Sequence, residues 1–275
     1  MRTQHIYSFF LLAAVISFSS CEKVIDVKLD SSANQVVIEA NVTNDAVQTI
    51  KISQSVPYTD SNVYPAVTGA EVRVTDDTGG SWTFFETQPG IYTFGSSFKQ
   101  RDFSVGLGQP GRTYTLHVSV NDVTYTAMST MPKPVPLDSL SLDIITFGGD
   151  ENKQVRIHFK DPEDQVNQYL YIMKINGVQA KSIFVDNDRL TNGNDVSSVL
   201  FYFSDNEKLK TGDEVEIEMQ SIDKNVFTYW FTLSQQTQNG PGGGVTPGNP
   251  PSNISNNALG YFSAHTTETK RLTIE

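Results

Sequence analysis

TYTLHVSVNDVTYTAMST, residues 113–130, alternates apolar and polar side chains on both sides of Asn121-Asp122. Tyr114, Leu116, Val118 and Val120 fall on one face of an extended chain. The Asn-Asp pair supplies the left-handed conformations that a two-residue hairpin turn demands. The stretch therefore reads as an antiparallel hairpin with one buried face, and its pattern recurs on both sides.

Toward the N-terminus, VVIEANV aligns Val36, Ile38, Ala40 and Val42, TIKIS aligns Ile50 and Ile52, and AEVRVTDD aligns Ala70, Val72 and Val74. With SWTFFE and IYTF added, residues 33–131 hold about seven strands, the number in an immunoglobulin-like sandwich. MPKPVPLDS, 131–139, carries three prolines and favours an extended, stiff connection, so a linker is placed at 132–138. Beyond it SLSLDIITF, QVRIHFKD, QYLYIMKING, KSIFVDN, SSVLFYFSD and DEVEIEMQSI repeat the alternation. The expected fold class is all-β: two immunoglobulin-like or fibronectin-like β-sandwich domains in tandem, 33–131 and 139–275. Each is expected to fold by itself when the chain is divided at the linker.

One segment breaks the period. Asp223 can cap a helix through NVFTYWFTLSQQTQ, with Phe227, Trp230, Phe231 and Ser234 at helical spacing and Val226, Tyr229 and Leu233 beside them. NGPGGGVTPGNPP, 239–251, is then an irregular loop of Gly and Pro. LGYFSAHTT and KRLTIE, which follow, are expected to return to the second sandwich and complete it.

Cys21 is the single cysteine in 275 residues. It has no disulfide partner, and a structural zinc site takes four ligands. Before it stand Arg2, an apolar run from Ile6 to Phe18, and Ser19-Ser20, the three regions of a signal peptide over residues 1–20. The run is too short for a transmembrane helix, which needs about 20 apolar residues. The arrangement resembles the lipobox of bacterial lipoproteins, in which the cysteine becomes the acylated N-terminus. Phe18 and Ser19 stand where that pattern usually has Leu and Ala. The alternative is an ordinary secretory signal with an incidental cysteine. Two or more acyl chains on Cys21 would hold the protein at a bilayer, with residues 21–32 as a tether.

Acidic residues outnumber basic ones by 31 to 20, a net charge of −11. Nucleic acids and anionic lipid surfaces need clustered Lys and Arg, so neither is an expected partner. Beyond the leader the histidines are His117, His158 and His265, far apart in sequence. No nucleophile elbow, zincin pair, phosphate loop or dinucleotide fingerprint is present, so no enzyme activity and no cofactor are expected. DNDRLTNGND, Asp186 to Asp195, invites a calcium site, but Leu190 occupies the third ligand position of that loop. A polar connection that hydrogen-bonds its own backbone is the competing reading. Aromatic residues remain as binding candidates: Tyr58 and Tyr64 in the long connection QSVPYTDSNVYPAV, and Tyr261 after the Gly/Pro loop.

Several pieces, in order, resemble one family of Bacteroidetes outer-membrane lipoproteins, domain of unknown function 4249. They are CEKVIDV, VVIEANVTND, AEVRVTDDTGG, GRTYTLHVSVNDVTYTAMSTMP, DPEDQVNQYL, FTYWFTL and SNISNNALGYFSA. Where that family often has Asn-Gly before its final Leu-Gly, Asn257-Ala258 stands here. The resemblance implies an outer-membrane location, with the cell surface favoured over the periplasmic face, and the company of TonB-dependent transporters. It brings no catalytic residue. The expected function is an accessory binding protein beside such a transporter in nutrient capture. The alternatives are a stand-alone glycan- or peptide-binding module and a structural or adhesion lipoprotein of the envelope.

Overall fold

The computed structural model describes residues 33–44, 47–57, 60–61, 63–95, 106–147, 149–202, 208–237 and 248–275. Cys21, the signal peptide, the tether, Tyr58 and most of the Gly/Pro loop lie outside them. The described chain is mostly β, in a sandwich-like arrangement of sheets, with one α-helix among the described residues.

The first half contains β1 (Val36–Thr43), β2 (Gln48–Gln54), β3 (Glu71–Asp76), β4 (Ser81–Gln88), β5 (Ile91–Phe94), β6 (Thr113–Val120) and β7 (Val123–Thr130). The hairpin expected at 113–130 is β6–β7, turning through Asn121 at φ 51° and Asp122 at φ 60°. Its alternation becomes burial: Tyr114, Leu116 and Val118 join Ile38, Ala40, Val42, Ile50, Ile52, Val72 and Val74 in one core. Each Val, Leu or Ile among them contributes about 1.5–3 kcal/mol when taken from water. The sheet folds over at β4, whose first residues pair with β3 and whose last pair with β5, with a register shift between Glu86 and Gln88. A shift of this kind sharpens local twist and bends the strand from one layer into the other.

The second half contains β8 (Ser139–Phe147), β9 (Asp150–Lys160), β10 (Gln168–Ile175), β11 (Val178–Gln179), β12 (Phe184–Asn187), β13 (Asp195–Leu200), β14 (Glu214–Ile222), α1 (Lys224–Thr237) and β15 (Leu259–Thr273). A three-stranded sheet, β13-β9-β8, packs on a layer of β10, β14 and β15, with β11 and β12 both paired along the outer edge of β10. Val155, Ile157 and Phe159 of β9 meet Tyr169, Tyr171 and Met173 of β10 in a second core. Val135 and Leu137 are buried in that same core, so the proline-rich connection is a packed element as well as a link. Proline fixes the extended backbone, on which Val135 and Leu137 point inward while Lys133 is exposed.

β15 corrects the expected return of the last strands. It is 15 residues long and serves both halves. Leu259 to His265 run parallel to β1, and Thr266 to Thr273 run antiparallel to β14. LGYFSAH therefore completes the first sandwich, where Phe262 and Ala264 are fully buried, and only the following residues complete the second. Alternation in LGYFSAHTT shows which residues share a face, but it does not say against which sheet the face packs. The entry to β15 turns through Asn256 and Asn257, both left-handed at φ 54° and 55°. Asparagine tolerates this conformation, so Ala258 is free to be a core residue. Gly260 at φ 92° lets the strand approach β1: a Cβ there would lie 2.1 Å from the Ile38 carbonyl oxygen.

Asp223 caps α1 as its sequence suggests, its Oδ1 accepting from the backbone N–H groups of Asn225 at 2.8 Å and Val226 at 3.0 Å. Its other oxygen accepts from the hydroxyl of buried Ser129 on β7, whose Oγ in turn accepts from the Ala264 N–H at 2.8 Å. One serine thus ties the helix cap, the first sandwich and the shared strand. The helix lays Val226, Phe227 and Trp230 over Leu170, Ile222 and Val185, on the face of β10 and β14 turned away from the second core.

Candidate functional site, an open cleft in the second sandwich

β12 and β13 are edge strands of opposite layers in the second sandwich, each paired on one side only among the described residues. Between them and α1 lies a cleft of about 910 Å³. Its floor is the second core, reached at Ile157 and Tyr171. Its walls are the two strand edges, and Phe231 of α1 enters from one side, 45% exposed. Phe201, just after β13, is 54% exposed on the opposite side. Lys181 and Asp186 place one charge of each sign at the rim. Burial pushes the Tyr171 hydroxyl well above its usual range, so it stays protonated. The cleft is a mainly apolar hollow with a few polar groups, the composition of a binding site.

The backbone of each wall follows from its ladder. Asp188 N–H donates to the Asn167 carbonyl, which fixes Asp186 and Phe184 as the residues bonded to β10 and turns Val185 and Asn187 outward. Asp161 N–H donates to Asn194, which by the same rule bonds Val196, Ser198 and Leu200 to β9 and turns Asp195, Ser197 and Val199 outward.

The aromatic candidates fare unequally. Tyr64 is 55% exposed on the connection between β2 and β3 and belongs to no wall of this cleft. Tyr261 is half-buried, its ring 5.1 Å from that of Tyr229 and 5.3 Å from that of Trp230 on α1. Burial pushes its hydroxyl up to about 12. It borders a shallower hollow of about 380 Å³ with Glu39, Asn41 and Lys51, and the Glu39–Lys51 ion pair spans that surface at 2.8 Å. The structure therefore makes Tyr261 chiefly a packing partner of α1, and it does not bring Tyr261 and Tyr64 into one site.

DNDRLTNGND closes on itself. Asn187 Oδ1 accepts from Arg189 N–H at 3.1 Å, the Asp188 carbonyl accepts from Thr191 and Asn192, and the Asp188 carboxylate accepts from Asn167 N–H at 2.7 Å. Asp161, fully buried at the start of DPEDQVNQYL, accepts from the Tyr169 hydroxyl at 2.5 Å and from Gly193 N–H at 3.3 Å. The Asp188 and Asp161 carboxylates are thus occupied in holding the turn against β10. His158 meets the Ser141 hydroxyl at 2.8 Å on the outer face of the three-stranded sheet. Neighbouring Asp143 is committed to the Arg156 guanidinium, which holds its carboxyl below the usual range.

Residues 22–271 match the family model described as domain of unknown function DUF4249. The chain belongs to this family. No curated protein matches it. For a DUF4249 chain the family thus supplies kinship without chemistry, and the cleft rests on its own geometry. Sequence reasoning missed it. One signal was present: Val226, Phe227, Tyr229, Trp230, Phe231 and Leu233 wrap α1 further round than a single buried stripe requires, leaving Phe231 beyond the packed face.

Proposed function

We propose that this DUF4249 chain is a non-catalytic, lipid-anchored binding protein of the outer membrane, capturing its ligand in the cleft between β12, β13 and α1 and working beside a TonB-dependent transporter. The observation that carries the reading is the cleft: a hollow of about 910 Å³ that reaches the second core and exposes Phe231 at its mouth. Binding proteins commonly use such mainly apolar hollows, with aromatic anchors supplying most of the affinity. The anchor half of the reading is supported by the leader pattern before Cys21 and by a family match that starts at Glu22, the next residue. The transporter half rests on the family resemblance.

The test has two arms. Cys21→Ser is expected to move the protein from the membrane fraction to the soluble fraction with its melting temperature unchanged. Phe231→Ala is expected to lose the ligand, and co-purification of an integral β-barrel is expected with the anchored wild type. Membrane retention of the cysteine variant would remove the anchor. Full capture by the Phe231 variant would remove the cleft.

A further inference from the structure

We infer that the ligand of this cleft is a free oligopeptide that binds extended, adding itself as a strand to the edge of β13. The inference rests on the binding reading above and names its ligand class. Native edge strands are normally protected, because a row of unpaired N–H and C=O groups recruits further strands. Both edges here carry such protection, but only in part. The outward carbonyl of Ser197 is covered by the Arg156 guanidinium at 3.0 Å. The outward N–H of Asn187 is covered by the Asp186 carboxylate at 2.8 Å. Val199 and Val185, the outward residues that line the cleft, have no backbone partner among the described residues. Protection is therefore missing where the hollow begins.

The chemistry of those uncovered groups identifies the occupant. An amide and a carbonyl from one extended residue, spaced for ladder pairing, are complementary to another extended backbone, and pockets beside them then select alternate side chains. β13 is about 20 Å long, and its uncovered stretch of edge is the end at Val199 that lines the cleft. The three-stranded sheet to which β13 belongs would gain a fourth strand. Side chains on one face of the bound peptide would meet Phe231 and the core floor, and those on the other would face solvent. The net charge of −11 adds long-range attraction for peptides with basic flanks.

The probe is a random heptapeptide library displayed on phage and selected on the full chain. Peptides of alternating apolar and polar residues should be enriched. Their synthetic forms should lose at least tenfold in Kd when alternate amides are N-methylated in one register, and much less in the other. Exchange of the Val199 amide should slow in the complex. Val199→Pro should weaken binding by a similar factor without changing the melting temperature, because the Val199 N–H takes no part in the β9 ladder and edge strands tolerate proline at such positions. The N-methyl comparison needs no variant, so it stands even if that proline unfolds the chain.

Absence of enriched peptides, or affinity indifferent to both N-methyl registers, would overturn strand addition. Binding that survives N-methylation yet is lost in Phe231→Ala would leave the cleft as a binding site for a ligand of another kind. Glycans bound by the wild type with no peptide selected would do the same.

Discussion

The two sandwiches differ at the side where their layers meet. In the first, Asn253 lies between β7 and β15, its Nδ2 donating to the Phe262 carbonyl at 2.8 Å and its Oδ1 accepting from the Phe262 N–H at 2.9 Å. Ile254 bridges to Ala127, and Ser255 Oγ accepts from the Thr126 N–H at 2.8 Å. One short segment thus occupies backbone groups of both layers and shuts the seam. In the second, no strand pairs β12 with β13 among the described residues, their common ground being the core beneath, and an open cleft results. The same kind of sheet is structural where its edge is sealed and available for recognition where it is not.

Removing the seal should have the largest effect. A fragment of residues 33–131 lacks LGYFSAH, so the β1 edge and much of the first core would be open. Contrary to the independent folding that the sequence pattern suggests, it is expected to show a disordered circular dichroism spectrum, because β15 supplies the strand beside β1. A peptide of residues 252–275 is expected to restore strand signal. A folded fragment without that peptide would mean that β15 is dispensable to the first sandwich.

Two phenylalanines sharpen the contrast. Phe262 is fully buried on β15, and truncation to Ala is expected to cost about 3–5 kcal/mol in denaturant unfolding. Phe231, at the mouth of the cleft, is expected to change stability by no more than about 0.5 kcal/mol. As a central anchor it should instead cost about 2 kcal/mol of binding. Similar stability losses in both variants would make the cleft ordinary core.

Next in size is a pH effect at the crossing point of β15. His265 is buried, with Nδ1 2.9 Å from the Ser263 hydroxyl, and burial pushes its pKa down to about 4 from the usual 6.5. Between those values the unfolded chain holds a proton that the folded chain does not. The contribution is therefore complete above pH 6.5, declines as pH falls, and is lost below pH 4, a difference of roughly 3 kcal/mol. Stability measured from pH 7 to pH 4 should fall less steeply in His265→Gln than in the wild type. Parallel slopes would show that the imidazole is not the group responsible. A smaller loss, about 1–3 kcal/mol, is expected for Asn253→Ala, which leaves the Phe262 N–H and carbonyl unpaired at the seam. Ligand binding should be unaffected by that variant.

Much of this architecture was legible in advance because burial alternates along strands. Period alone places Tyr114, Leu116 and Val118 in a core, and Asp223 stands as a cap before an aromatic helical run. Pairing between strands distant in sequence is not legible, unlike that within the 113–130 hairpin. The alternation of LGYFSAHTT is equally compatible with either sandwich, and only the long-range pairing with Val37 to Thr43 decides for the first. The binding site was hidden for the same reason. Val199 carries no mark in sequence that its N–H points away from its partner, and an open edge is defined by a neighbour that the fold does not supply. An aromatic beyond a loop, as Tyr261 is, suits ligand contact, but the same chemistry packs a helix against a sheet.

The most direct test of the difference between the seams is photo-crosslinking in living cells, with a benzophenone amino acid at position 231 in the cleft or at position 85 on the first sandwich. Phe231 and Phe85 are both well exposed, at 45% and 57%, so accessibility alone would label them alike. The difference between the seams requires a discrete adduct from position 231 and none above background from position 85. Adducts of equal yield at both positions, or from position 85 alone, would contradict it.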